Sequence, residues 1–477
     1  MTHRRSVVAL ALALVAPLAP APLAASAVTA AATSPTPVAR LQTPLLSLRR
    51  APGVLTGAVA QSRLATALDA AMADPSLGAA RDNSCLVVTV GPVTVYDRRG
   101  SVPLIPASGL KLVTANAVFD KLGAQSHLTT EVRADHAAGA VVGGNLYLVG
   151  GGDPLLRTAD YVATLRYKEL LYTHLEDLAR AVRAAGITHV TGSVVGDESR
   201  YDSQRYGPTW KPSYAATGEV GPLSALQVND GYQSLKPRLI PAARPATQAA
   251  ALFTTLLGAA GVAVDGAASQ GTAPAGAPTV ASLPSATLAD VVAEVLRQSD
   301  NNGAELLTKE IARHAGGAPT TVAGVAVVKA QAAADGLPVD QLAMVDGSGL
   351  DRSDRASCRL LVDVLARGGP DGDLGRGLPV AGQTGTLQGR MAGTPAAGRV
   401  RAKTGSLDGV SSLSGYVLPL ATAGAPTGAP LTFSAIFNDA PSRTAVEALE
   451  DRIAVILAGY PQAPSDTGLG PLPVVSG

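Results

Sequence analysis

Apolar positions recur along this chain at two different spacings, and the change of spacing divides it. Leu64, Leu68 and Met72, four residues apart, predict a helix. The runs 85–90 and 93–96, separated by Gly91-Pro92, predict two short strands around a turn. Pro106 precedes an apolar segment from Leu110 to Leu122, ended by Gly123, which reads as a helix buried on most sides with Ser108 and Lys111 in its first turn. Further on, Leu288, Val291, Val292, Val295 and Leu296 fall at i, i+3, i+4, i+7 and i+8, the stripe of an amphipathic helix, and Thr287 with Asp290 makes a capping-box pattern at its start. This helix is expected to stop at Ser299-Asp300-Asn301. Residues 400–406, 410–418 and 431–437 read as consecutive antiparallel strands, and 443–458 as a helix with Val446, Leu449, Ile453, Ile456 and Leu457 on one face.

From 126 to 280 the texture differs. Short strand-like runs (140–142, 146–149, 190–195) alternate with turns such as Gly150-Gly151-Gly152-Asp153-Pro154, one helix pattern covers 167–185, and the Ala/Gly/Pro/Thr-rich stretch 266–280 reads as loops. This region is taken as an inserted, mainly β domain. Helix-strand-strand at the beginning and strand-strand-strand-helix at the end imply one antiparallel sheet assembled from both ends of the chain, flanked by helices, in the α/β (α+β) class.

Composition narrows the possibilities. A length of 477 residues suggests about three domains. A net charge of +1, with one Trp, 11 Tyr and four Phe, supplies neither the basic surface nor the stacking platforms of a nucleic-acid binder. Two cysteines and six scattered histidines build no Cys-rich zinc site, and neither a metal nor a cofactor is implied. Residues 1–27 read as a signal peptide: Arg4 and Arg5, an apolar run from Val7 to Val15, and Ala25-Ser26-Ala27 as cleavage site. Pro17, Pro20 and Pro22 interrupt the segment before it could span a bilayer. A linker follows to residue 55. No later run is long enough to cross a membrane, so the expected product is exported to the cell wall, the extracellular space or a periplasm, soluble or peripherally associated, with no transmembrane helix after cleavage. In such an oxidising compartment Cys85 and Cys358 are expected to pair as a staple between early and late segments; two buried free thiols are the alternative.

Three short patterns carry the candidate chemistry. Of the eight lysines only Lys111 has Ser three residues before it, only Lys403 is followed by Thr-Gly, and only Asn301 among the asparagines has Ser two before it. Ser108-Gly109-Leu110-Lys111, Ser299-Asp300-Asn301 and Lys403-Thr404-Gly405 thus occur once each, at a helix start, a helix end and a strand. A serine hydroxyl needs a base to become a nucleophile. Positions i and i+3 share a helix face, so Lys111 can reach Ser108, provided it is neutral. Two ammonium groups about 5 Å apart, at an effective dielectric of roughly 20, repel by ~3 kcal/mol or about two pKa units, so a nearby Lys403 is expected to bring Lys111 down, with desolvation adding to the fall.

This triplet is that of the serine penicillin-recognising enzymes. The chain resembles the D-alanyl-D-alanine carboxypeptidase/endopeptidase group of low-molecular-mass (class C) penicillin-binding proteins, in which an insertion separates the first two motifs. The likeness extends to Ile105-Pro106-Ala107-Ser108, Gly151-Gly152-Asp153-Pro154, Gly221-Pro222-Leu223-Ser224-Ala225-Leu226, Val228-Asn229-Asp230-Gly231, Asp346-Gly347-Ser348-Gly349-Leu350 and Gly398-Arg399-Val400-Arg401-Ala402 before Lys403. The resemblance implies a serine β-lactamase/transpeptidase-like domain at 56–125 and 281–465, with an all-helical part, the insertion at 126–280 and a C-terminal tail at 466–477. Ser108 and Ser299 lie 191 residues apart, fewer than in the better-known members, which implies a reduced insertion.

The implied activity is that of a serine DD-peptidase acting on peptidoglycan stem peptides and acylated by β-lactams. Ser108 is the expected nucleophile, Lys111 its base and Ser299 a proton relay. Asn301, Lys403, Thr404, Gly405 and Ser406 are the expected substrate contacts: Asn301 to an amide, Lys403 and Thr404 to a carboxylate, Gly405 to allow close backbone approach, and the Ser108 and Ser406 amides as oxyanion hole. By resemblance Arg352 contacts the acidic side chain of the stem peptide; a surface ion pair is the bland alternative. Asp153 reads as a turn residue. A β-lactamase on the same fold, or a wall-binding scaffold with a vestigial site, are the rival functions.

Overall fold

The computed structural model describes residue 43 and residues 46–165, 171–234, 236, 238–422, 425–426, 429–462 and 466–472. The expected signal peptide, the linker up to residue 42, and Tyr167 lie outside the described residues.

Opposite ends of the chain build the main sheet. Its strands are β1 (Ser84–Val90), β2 (Val93–Arg98), β3 (Val400–Leu407), β4 (Val410–Val417) and β5 (Leu431–Asn438), in the order β3-β4-β5-β1-β2, every pair antiparallel. Every residue of β4 and β5 is buried, so these two strands lie at the centre of a sheet covered on both faces. Alternate residues serve the two faces, as the pleat requires. Leu86, Val88, Phe433 and Phe437 pack with Leu64, Leu68 and Met72 of α1 (Pro52–Met72), which begins inside the expected linker. On the other face Cys85, Val87, Tyr416 and Ile436 meet a helical layer. That layer contains α2 (Lys111–Leu122), α3 (Leu288–Gln298), α4 (Asn301–His314), α5 (Thr321–Ala334) and α6 (Cys358–Gly368); α7 (Arg443–Ala458) returns to the first face beside α1. No described helix is long and apolar enough to cross a membrane.

The segment between α2 and α3 forms a second five-stranded sheet, in the order Ser269–Gln270, Val194–Asp197, Leu146–Val149, Thr129–Ala134 and Thr279–Pro284. Helices Leu175–Ala184 and Pro245–Ala259 bury Leu178, Val182, Phe253 and Leu257 against Val132, Leu148 and Val194. Three details differ from the sequence reading. The stretch 266–280 is not all loop, because its Ser269–Gln270 pairs with Val195–Gly196 and Thr279 opens an edge strand. Ser269 and Gln270 are exposed and Thr279–Pro284 is at most half-buried, so neither strand shows the apolar alternation that marks a half-buried strand. The run 190–195 is two strands in separate sheets, divided at Gly192, where a Cβ would lie 2.5 Å from the Gly144 carbonyl oxygen. Of the helix expected over 167–185, the described residues from 171 on show Leu175–Ala184, after a short strand Thr173–His174; 167–170 lie outside the described residues.

This second sheet is fastened to α4. Arg200 donates to both Glu310 oxygens, at 2.9 and 2.7 Å, Tyr201 donates to Glu310 at 2.9 Å, and Asp202 pairs with buried Lys309. Asn302 donates to the Gly221 carbonyl at 3.1 Å and to Gln227 at 3.0 Å. In the main domain a disulfide joins Cys85 of β1 to Cys358 at the start of α6, with Cα atoms 6.0 Å apart. It closes a loop of 273 residues and ties the helical layer to the sheet. Replacing both cysteines with alanine is expected to lower unfolding free energy by about 2–5 kcal/mol, read as a lower guanidinium midpoint; an unchanged midpoint would show that the crosslink carries no stability.

Candidate active site

A cleft of about 510 Å³ opens where β3, the start of α2 and the α3–α4 junction meet the segment between α2 and α3. Ser108, Ser299, Asn301, Thr404 and Ser406 line it, while Lys111 and Lys403 lie beneath its floor, 1% and 0% exposed. The three sequence motifs therefore converge. Ser108 sits in a 3-10 turn, Ala107–Leu110, that runs directly into α2. The residue before it, Ala107, is held at φ 47°, left-handed for a side chain that disfavours it. Two glycines make room for this turn: a Cβ on Gly349 would sit 2.0 Å from the Ala107 carbonyl oxygen, and one on Gly405 would sit 2.6 Å from that of Pro106.

Lys111 Nζ donates three hydrogen bonds: 2.8 Å to Ser108 Oγ, 2.6 Å to Asn301 Oδ1 and 2.7 Å to the Ser348 carbonyl oxygen. Asn301 in turn donates from Nδ2 to the Glu219 carbonyl, 2.7 Å away. Asn301 is the first residue of α4, not the tail of α3. The break between them is Ser299, whose φ of 59° ends α3 with a left-handed cap and aims its hydroxyl at Lys403, which donates to it at 2.8 Å. Lys403 also donates to the Thr404 carbonyl at 2.7 Å, and Thr404 donates to the hydroxyl of Thr386 at 2.9 Å.

Burial is the main cause of the lowered basicity of both lysines. It lowers Lys111 to about 8, against the opposing pull of the Asp346, Asp300, Glu305 and Glu219 carboxylates. Lys403 is held well below its ordinary value, first by burial and then by the charge of Lys111. Burial is the leading cause at Lys111, where the sequence reading put the repulsion first and desolvation second; that repulsion is mutual, so a charged amine on either lysine favours loss of the other's proton. Next to the serine motif, burial and the Asp230 carboxylate push Asp300 up to about 6.

Two further expectations change. The missing side chain of Gly405 serves packing within the protein: a Cβ there would meet Ser412 Oγ at 2.2 Å and the Pro106 carbonyl oxygen at 2.6 Å, so it would point at the nucleophile turn. Arg352 does not line the cleft; it is exposed and donates to the Asp408 carbonyl oxygen at 2.7 Å, in the turn between β3 and β4. Asp153 is buried in a turn, accepting from the Leu155 amide at 2.9 Å and the Thr173 hydroxyl at 2.5 Å.

Other cleft residues had no role in the sequence reading. Arg157, Tyr161, Asp230 and Tyr232 form the opposite wall, where Arg157 and Tyr161 both donate to Asp230, at 2.8 and 2.9 Å. Thr386 reaches the rim from a short turn after α6. The strings around Asp230 and Ser348 were visible, but the group Ser348 offers is a backbone carbonyl, which every residue has and no sequence pattern flags. Among the described residues no group of three His, Cys, Asp or Glu side chains is placed to hold a metal ion.

Several known proteins are similar to this chain in sequence or fold. A D-alanyl-D-alanine carboxypeptidase from Actinomadura sp. (strain R39) is 32% identical over 82% of this chain and 84% of its own length. Carboxypeptidase DacB of Mycolicibacterium smegmatis is 32% identical over 81% and 82%. Penicillin binding protein 4 (dacB) of Haemophilus influenzae shares the fold at 20% identity, with a TM-score of 0.65 over 79% of this chain and 95% of its own; it is also solved with a β-lactam. Residues 64–242 and 235–460 match the family model, and the chain belongs to the D-Ala-D-Ala carboxypeptidase 3 (S13) family.

Proposed function

We propose that this protein cleaves the D-alanyl-D-alanine bond of peptidoglycan stem peptides through an acyl-enzyme on Ser108, and that β-lactams acylate the same residue. The observation that carries this reading is the 2.8 Å contact between Ser108 Oγ and Lys111 Nζ, in a pocket where burial brings the lysine down to about 8. Neutral Lys111 takes the Ser108 hydroxyl proton as Oγ bonds to the carbonyl carbon. The resulting oxyanion is held by the amide N–H groups of Ser108 and Ser406. The proton then passes through the Ser299 hydroxyl to the departing nitrogen, the C–N bond breaks, and D-alanine leaves. Water cleaves the ester and restores Ser108.

The remaining residues orient the substrate. Asn301, fixed by Lys111 and Glu219, presents its amide to the peptide. Lys403 with Thr404 receives the terminal carboxylate; a carboxylate beside Lys403 favours the ammonium, reversing the effect of burial. In this reading 56–125 and 281–465 form the catalytic unit and 126–280 an insertion that supplies the far wall of the cleft. A leader at 1–27 exports the protein to the wall compartment.

Three measurements test this. Labelled penicillin is expected to add one acyl group to the protein by intact mass and none to Ser108→Ala; label retained by the folded variant, or absent from the folded parent, rejects the assignment, and fast turnover without a burst marks a β-lactamase instead. Because the working form of Lys111 is neutral, the acylation rate should fall about tenfold per pH unit below the lysine midpoint and level off above it, with that midpoint near about pH 8; a profile flat from acid to alkaline pH excludes this base. Gly405→Ala should force the β3 edge from the nucleophile turn, at about 1–3 kcal/mol, and slow acylation roughly tenfold or more; an unaltered rate would show that the turn tolerates the extra methyl.

A further inference from the structure

The Asp346-Gly347-Ser348-Gly349 turn has no part in the chemistry above, yet it supplies one of the three acceptors of Lys111. It is held from several sides. Glu305 accepts from the Gly347 and Ser348 amides at 2.9 and 2.8 Å, and Thr114 of α2 donates to the Gly347 carbonyl at 2.8 Å. Asp346, 1% exposed, accepts from the amides of Ser348, Gly349 and Asp351 at 3.0, 2.6 and 2.8 Å. Its fourth donor comes from elsewhere: the indole Nε1 of Trp210, at 2.8 Å and 136 residues away in sequence. Trp210 belongs to the segment between α2 and α3, and its neighbour Thr209 donates to Asp351 of the same turn.

We infer that Trp210 is a positioning residue for Lys111, acting through Asp346 and the Ser348 carbonyl. The inference rests on the reading of Lys111 as base. A buried carboxylate is costly unless its acceptor sites are filled, and three donors local to one turn leave the fourth site to the indole. The ring packs with Leu306 and Leu350, so the N–H is fixed in direction and the turn is fixed with it. Removing that donor frees the turn to shift, and the Ser348 carbonyl moves with it. Trp210 thereby contributes to the reaction without lining the cleft: the same segment that walls the cleft sets the position of the amine beneath its floor.

The test is the kinetics of penicillin acylation of the full chain carrying Trp210→Phe, and of the chain with Trp210 replaced by benzothienylalanine, which keeps the ring shape and lacks only the N–H. The acylation rate constant at saturating penicillin should fall roughly 10- to 100-fold, with the half-saturating concentration unchanged and the melting temperature of the isostere close to that of the parent. Trp210→Phe added to Asp346→Asn should lose no more than Asp346→Asn alone. A saturating rate equal to that of the parent, or a loss that vanishes once corrected for the folded fraction, overturns the inference while Ser108 is still acylated in the parent. A parent protein that is never acylated overturns the Ser108 mechanism, and this inference with it.

Discussion

An amine buried without a full counter-ion is the constraint around which the site is organised. Lys111 has exchanged water for three fixed oxygens, those of Ser108, Asn301 and Ser348, and nearby carboxylates only partly offset what burial takes away. A lysine in water stays charged at neutral pH and cannot serve as a base; one with no acceptors at all would not be tolerated at this depth. Three acceptors from three separate segments fix its direction, and depth makes proton loss accessible. Each of those segments must therefore be held in turn, which accounts for much of the surrounding architecture.

Some of that support is backbone geometry that side chains alone would not favour. Ala107 at φ 47° directly precedes the nucleophile, and Ser299 at φ 59° opens the second motif. Such conformations cost of order 1–3 kcal/mol each and persist only where the surroundings enforce them. Here Gly349 and Gly405 let backbone press against the nucleophile turn, and the Cys85–Cys358 crosslink ties the sheet to the helical layer that bears Lys111. The segment between α2 and α3 adds a third restraint, through Arg200, Tyr201 and Asp202 on α4 and Trp210 on the Asp346 turn. Because α4 begins with Asn301, its anchoring bears directly on an acceptor of Lys111.

Much of the main domain was legible before any coordinates. The strands on either side of Gly91-Pro92, the three late strands and the helices from 110, 288 and 443 all lie where apolar spacing put them, give or take a few terminal residues. Buried, locally periodic elements announce themselves because each presents one face or two to a core. The second sheet was far less legible. Its strands at 146–149, 194–197 and 269–270 are two to four residues long, too short for a period to register. Helix Pro245–Ala259 was missed because Ala, Thr and Leu ring it without a clear polar face.

For the site, residue type and uniqueness of spacing determined which hydroxyl and which amines to consider, since the nucleophile and its base are three residues apart on one helix and need nothing but helix geometry to meet. Tertiary structure decided the rest. It made desolvation the leading force on Lys111, because burial is a property of everything packed around a group. It turned Gly405 toward the protein, sent Arg352 to the Asp408 carbonyl, and brought Trp210 and the Ser348 carbonyl to the base. Contacts across more than a hundred residues, and contacts made by backbone atoms, leave no local pattern in the order of side chains, so only the folded chain records them.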